Sequence, residues 1–459
     1  MKTTSIGIQN NNDLTRPSSI SRLRWIGLNL AIGATVLCGL GSLTLAQNPV
    51  IARLADEQGF TLPLGVYTPL VLKTQPDAAC DLHAEGVADP AKTLRVYANE
   101  DGYVKIHVGS KEGSGVDSRV QLDCAAAGQV VTYPLHFRFS SFPTDDMPAP
   151  QTAMPAPKGS RVLPALTDEA ARQLSDEDLL QQGYSPRPDV AASPDNYAKW
   201  LERFSRPITL LPPHSLSHPD VAHRGNVQAS PENSSNWSGF EAHSGSRSYI
   251  AVESQWYVPA IEFGEPGKVT YSAAWVGLDG DGVSDLVQAG TEQNCVVILG
   301  VAYGGYGAWS ELLPNQQFEQ GVSSLSPNAL DEIYVEVWAG NSKGVYDQHG
   351  GYAWFILFDL TQARAAEFST SFNGSYFSGS EAEWIMERPL VNASPADLAD
   401  YGIDGFSESY ALPTSAAAWK PLGEVQNRQI TMYNGNDELS VATAYPSGTG
   451  IIFGWLNFH

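Results

Sequence analysis

In residues 232–459 the apolar positions fall in short, strand-length runs rich in aromatic and β-branched side chains. Ile333-Tyr334-Val335-Glu336-Val337-Trp338 and Trp354-Phe355-Ile356-Leu357-Phe358 are examples, and Gly and Asn punctuate nearly every gap. Runs of this composition bounded by turn residues predict strands. Helical spacing is scarce, with one candidate start at Ser394-Pro395 before Gly402. Many short strands bury their apolar faces most economically as two packed layers, so the fold class expected is all-β, an antiparallel β-sandwich.

Upstream the pattern changes twice. Residues 48–141 predict a small β-sandwich domain, in which Leu94-Arg95-Val96-Tyr97-Ala98 and Tyr103-Val104-Lys105-Ile106-His107-Val108 flank the turn Asn99-Glu100-Asp101-Gly102 as the arms of a hairpin would. Residues 142–231 open with a Pro-rich stretch, Phe142-Pro143 through Pro157, of spacer composition. Thr167 and Ser175 then stand as helix N-caps and Gly183 as a stop. Ser193-Pro194 begins a segment through Phe204 with Tyr197, Trp200, Leu201 and Phe204 on one face. These short helices and the strip from Arg206 to Ser230 read either as a linker or as a pro-segment docking on the 232–459 region. His214, His218 and His223 lie among Pro212, Pro213 and Pro219, which forbid a regular helix, so solvated linker histidines are expected there.

Charge and cysteine count restrict the setting. A net charge of -23 and a pI near 4.7 argue against nucleic acid as a partner. Residues 1–46 read as a signal peptide: Arg22 and Arg24, an apolar run from Trp25 through Leu45, then Thr44-Leu45-Ala46 before Gln47. The run is also long enough for an uncleaved membrane anchor, so membrane contact depends on its retention. A secreted, extracellular monomer is expected, with periplasmic or anchored placement as variants. Cleavage after Ala46 leaves Cys80, Cys124 and Cys295. One disulfide between Cys80 and Cys124 suits an exported chain and would contribute about 4 kcal/mol by loop closure; two buried thiols are the alternative.

The candidate chemistry lies in two stretches, Leu286-Val287-Gln288-Ala289-Gly290 and Ala382-Glu383-Trp384-Ile385-Met386-Glu387-Arg388-Pro389. A carboxylate can take a proton from water and return it to a leaving amine, while a neutral amide donates to a developing oxyanion without titrating. Around them, in chain order, stand Ser235-Asn236-Trp237-Ser238-Gly239, Tyr257-Val258-Pro259, Ala273-Ala274-Trp275-Val276-Gly277-Leu278-Asp279-Gly280 and Tyr306-Gly307-Ala308-Trp309-Ser310-Glu311. The ordered set resembles the glutamic peptidases of the eqolisin family from about Asn233 onward. That resemblance implies an acid endopeptidase acting on protein or peptide substrates without cofactor or metal, its site on the concave face of two large packed sheets. Gln288 and Glu387 match the catalytic pair, and Trp237, Trp275, Asp279 and Glu311 match residues that line or support the cleft. Gly307, Leu312 and Leu313 stand where the family usually carries an acidic residue and aromatics, so substrate preference does not carry over.

Strand period is consistent with this assignment. Glu383 and Glu387 share a face opposite Trp384 and Met386, and Gln288 shares its face with Gly290, which would leave space for a substrate backbone. The family pattern selects Glu387 and leaves Glu383 as a neighbour or a solvent-facing carboxylate. Gly340-Asn341-Ser342-Lys343-Gly344 has the spacing of a serine nucleophile elbow but lies between two strand patterns, without the helix such an elbow needs. Asp279-Gly280-Asp281-Gly282-Val283-Ser284-Asp285 alternates carboxylates yet lacks the sixth-place glycine and distal glutamate of an EF-hand loop. The competing reading is a secreted β-sandwich module that binds carbohydrate or protein without turnover; Gln288 and Glu387 on separate faces would favour it.

Overall fold

A computed structural model describes residues 58–459 except 88, 111–116, 141–151, 227, 231, 262–266 and 375–376. The segment read as a signal peptide or anchor, 1–46, and most of the Pro-rich stretch lie outside the described residues. No described helix is long and apolar enough to cross a membrane.

The all-β expectation holds. One layer of the 232–459 sandwich runs through strands Trp237–His243, Glu381–Glu387, Val269–Leu278, Leu286–Ile298 and Val301–Leu313, each antiparallel to its neighbour. The other runs through Arg364–Ser371, Tyr352–Asp359, Glu332–Gly340, Tyr249–Tyr257, Ile403–Pro413 and Ile451–Trp455. Alternation sorts the side chains. Trp384 and Met386 enter the core between layers with Val276, Leu278, Val287 and Ala289, while Ile385 faces the other way with Trp237, Trp275 and Trp309. Glu383 and Glu387 share the side of Ile385 by the period of two.

Two local expectations fail. Ser394 to Gly402 forms no helix: Ser394–Pro395 pairs with Leu390–Val391, and Asp397–Leu398 runs parallel to Thr270 and Tyr271. Ladder partners there outweigh a weak local preference. Nor do Leu94–Tyr97 and Tyr103–Ser110 form a hairpin. The first pairs with Ala79–Ala84 and the second with Thr68–Lys73 and Val301–Gly304. Asn99 makes the corner, its side-chain oxygen accepting from the backbone N–H of Asp101 at 3.1 Å and of Tyr103 at 2.8 Å. The chain thereby passes from one layer to the next.

The upstream strands complete their sandwich with borrowed material. A five-stranded sheet ordered Gln58–Pro63, Gln129–Ser140, Asp117–Ala126, Ala79–Ala84, Leu94–Tyr97 packs over a layer continued by the tip of the Leu286–Leu313 hairpin. Val296, Ile298, Val301 and Tyr303 of that hairpin share one apolar cluster with Leu82, Leu122, Leu135 and Phe137. Cys80 lies directly opposite Cys124 on adjacent strands and is bonded to it; Cys295 is a buried thiol outside that disulfide, 3.7 Å from the Tyr67 hydroxyl.

The helices start and stop at the capping residues. In α1 (Asp168–Gln173) Thr167 Oγ1 accepts from Ala170 N, in α2 (Asp176–Gln182) Ser175 Oγ accepts from Asp178 N, and Gly183 ends α2 at φ 98°. Tyr197, Trp200 and Phe204 of α3 (Pro194–Phe204) are buried in the main core, and Leu201 packs at its margin. The strand Ile208–Leu211 after it lies parallel to Arg364–Ala366. These helices are therefore integral to the larger sandwich.

Removing residues 58–140 would uncover four large apolar side chains of the hairpin tip. A chain starting after residue 151 is expected to lose solubility or unfold well below the full chain, as read by expression and thermal denaturation. Full solubility and an unchanged melting temperature would contradict the shared core.

Candidate active site

Register brings the expected residues to one sheet face. Gln288 stands opposite Glu311 on one side and Gly277 on the other, and Ala273 stands opposite both Glu292 and Glu387. The strand Val269–Leu278 separates the Gln288 strand from the Glu387 strand and carries Trp275 between them. Trp275 Nε1 donates to Glu387 Oε2 at 2.8 Å, and Trp237 packs edge-on against Trp275 with centroids 4.9 Å apart. Gln288 Nε2 donates to Glu311 Oε2 at 3.4 Å. The space beside Gly290 belongs to Trp275: a Cβ there would lie 2.6 Å from the Trp275 Cβ. It is therefore not open to a substrate backbone.

Asp279 acts at the entrance of the Glu387 strand. Its carboxylate accepts from the N–H groups of Gly379 at 2.7 Å and Ser380 at 2.6 Å, fixing the turn that leads into Glu381–Glu387. Asp285 holds Ser378 N at 2.6 Å, so this loop's carboxylates have protein donors. Gly340–Gly344 connects neighbouring antiparallel strands, with Trp338 Nε1 donating to Gly344 O at 2.8 Å. Glu383 is fully buried, not solvent-facing.

The largest correction concerns the histidines. His223 is 0% exposed and lies on the site: its backbone N–H donates to Glu311 Oε2 at 3.0 Å, its Nδ1 is 3.0 Å from Glu387 Oε2 and its Nε2 is 2.9 Å from Glu319 Oε2. The ring lies flat on Trp309 with centroids 3.6 Å apart. His218 is buried too, with Nδ1 2.5 Å from Glu319 Oε1 and its ring stacked on Tyr97 at 3.8 Å. Only His214 stays partly exposed, against Asp77. The prolines that forbid a helix suit an extended strip, and the strip is extended: Ser215–Ser217 pairs with Gln320–Val322, and Val221–Ala222 with Leu390–Val391.

Glu319, His218 and His223 escaped the sequence reading. Glu319 follows the turn at Pro314, where strand period is lost, and the strip's register depends on distant partners. The available signal was histidine density, since three of the nine histidines fall between positions 214 and 223.

Charges here are set by burial and pairing. Burial lowers the His223 pKa, but Glu387 and Glu319 overcome it and raise it to about 10. Burial raises Glu319, yet His218 and His223 bring it to about 2. Glu311 is pushed up to about 8 by burial, against the pull of His223. Burial, reinforced by Glu241, holds Glu383 well above the usual carboxylate range, so it is a neutral acid. Gln288 Oε1 and Glu387 Oε1 are buried without a protein hydrogen-bond partner.

The fold is that of a packed β-sandwich with a carboxylate and a carboxamide on one sheet face, on strands separated by Val269–Leu278. Residues 235–451, a little under half of the chain, match the model of the Peptidase A4 family. Two solved structures of scytalido-glutamic peptidase with transition-state analogues are similar at 21% and 20% identity, with TM-scores of 0.40 and 0.38. Each covers 48% of this chain and 98% of its own. SCP-B, an eqolisin family member in complex with the tripeptide Ala-Ile-His, is similar at 20% identity and TM-score 0.36 over the same shares. No curated protein matches the chain.

Buried acids give the stability a direction with pH. Burial pushes Glu241, Asp279, Glu292, Glu381 and Asp404 up to about 7, and Glu311, Glu336 and Glu367 up to about 8. Their ordinary values are 3.8 for Asp and 4.5 for Glu, so each contributes stability that is complete below pH 4 and lost as pH rises through its folded value. The melting temperature is expected to fall by on the order of 10 °C between pH 4.5 and 8. A scan by circular dichroism checks this, and a rise over that interval would contradict it.

Proposed function

We propose that the chain is the precursor of an exported acid endopeptidase in which Glu387 and Gln288 activate a water. Ionised Glu387 removes a proton from that water as its oxygen attacks the scissile carbonyl carbon, and the Gln288 amide donates to the oxyanion. Glu387 then passes the proton to the amine nitrogen as the C–N bond breaks. Trp275 orients Glu387 through its indole N–H, and Glu311 orients Gln288 by accepting from its amide. Export is supported by the N-terminal apolar run and by the Cys80–Cys124 disulfide, a bond favoured outside reducing compartments.

The observation that carries this reading is that an extended piece of the chain's own peptide lies on the pair. His223 touches Glu311, and through it Gln288, by its backbone N–H, and touches Glu387 by its ring. The site thus accommodates a peptide segment. The same contact closes it, because Gln288, Glu311 and Glu387 are all 0% exposed. The strip must leave before a substrate can enter.

Glu387→Gln and Gln288→Ala are each expected to reduce hydrolysis of a denatured protein by at least about 100-fold without unfolding the chain. Glu383→Gln should cost far less, since a neutral amide replaces a neutral acid of similar shape. Full activity in a folded Glu387→Gln variant would contradict the assignment.

The strip's release should depend on acid. Glu319 has a lowered pKa, so its hold on the histidines is complete above 4.5 and lost as pH falls towards 2; the hold through His223 is complete below 6.5 and lost as pH rises towards 10. Lowering the pH from about 5 to about 3 should therefore speed cleavage between Arg206 and Asn233. Because α1 to α3 are packed in the core, the product should be two co-eluting chains, one beginning near Gln47 and one near Asn233. N-terminal sequencing of the gel-filtered material decides: a lone chain beginning near Asn233 would contradict the account.

A further inference from the structure

Glu319 has no part in the proposed water attack, yet it is 0% exposed beside the reacting pair. It stands immediately before the strand Gln320–Val322, along which the strip runs antiparallel. Both of its oxygens are engaged by imidazoles of that strip, His218 on Oε1 and His223 on Oε2. The His223 ring spans from Glu387 to Glu319 with its two nitrogens, and its face covers Trp309. Trp309 Nε1 is itself buried without a protein partner.

The groups facing His223 and His218 are Glu387, Glu311, Glu319 and Glu292, with Arg224 on the strip itself. Arg95, the cation on the neighbouring sheet, is engaged by Asp81 and by Asp220. Removing the strip thus removes the imidazoles that neutralise Glu319. A buried carboxylate without a cation is costly, and a peptide that replaces the strip restores the balance if it brings a positive charge.

Resting on the reading of Glu387 and Gln288 as the reacting pair, we infer that Glu319 and Trp309 form a substrate subsite for a cationic side chain, Lys, Arg or His, adjacent to the cleaved bond, which His223 occupies as a mimic. Glu319 supplies the charge-assisted acceptor. Trp309 supplies a flat surface that suits guanidinium or imidazolium stacking. Acidic conditions favour the match, since a substrate histidine is then charged while Glu319 remains ionised when paired.

The test uses acid-matured chain and peptides that differ at one position, Lys, His, Leu or Glu, with cuts mapped by mass spectrometry. The wild type is expected to favour Lys over Leu beside the cut by at least about tenfold in kcat/KM. Glu319→Gln should bring that ratio towards one, Glu319→Asp should retain part of it, and Glu319→Lys should favour the Glu peptide. Equal cleavage of Lys and Leu peptides by the wild type would overturn the inference. So would a preference unchanged in Glu319→Gln, or one abolished by a chelator, which would instead assign a bound ion to the ligand atoms of His218, Glu292 and Glu319, all within 4.8 Å of one another. If the wild type cuts neither these peptides nor a denatured protein, the peptidase reading has failed, not the subsite.

Discussion

A carboxylate kept out of water must be protonated or must face a cation, and that constraint organises this molecule. One sheet face carries Glu241, Glu383, Glu387, Glu292 and Glu311 on a few adjoining strands. Most resolve the constraint by taking up a proton, as burial raises their pKa values. Glu387 and Glu319 resolve it through His223, an imidazolium supplied by the strip between α3 and the sandwich. The strip therefore completes the electrostatics of the face that it also closes.

The same dependence on supplied parts recurs in the architecture. The strand pair that carries Gln288 and Glu311 continues beyond them to become half of another core, where Val296, Ile298, Val301 and Tyr303 meet the upstream sheet. One hairpin thus carries the site at one end and the upstream sandwich at the other. The helices add Trp200 and Phe204 to the main core. What can leave is the thin strip itself, held by strands of two and three residues and by the charges around Glu319.

Much of this was legible in the sequence because it depends on local rules. Period two placed Glu387 and Glu383 opposite Trp384 and Met386, and the caps at Thr167, Ser175 and Gly183 set the helix ends. The ordered motifs singled out Gln288, Glu387, Trp275 and Glu311, which the fold brings to one face. The failures are non-local. The corner at Asn99 looks like a hairpin turn until the two layers are known, and Ser394-Pro395 looks like a helix start until its ladder partners are known. His223 looks solvated because nothing near it in sequence reveals Glu387, 164 residues away.

The claim that joins site and strip is that His223 is a buried imidazolium bridging Glu387 and Glu319. Nitrogen NMR of the full chain carrying Gln288→Ala, which keeps both glutamates while preventing self-cleavage, reads its protonation directly. The account predicts that both ring nitrogens remain protonated through pH 8, consistent with a pKa near 10. An imidazole that deprotonates near its ordinary value of 6.5 would show that His223 is not clamped between the two carboxylates, and would contradict the account.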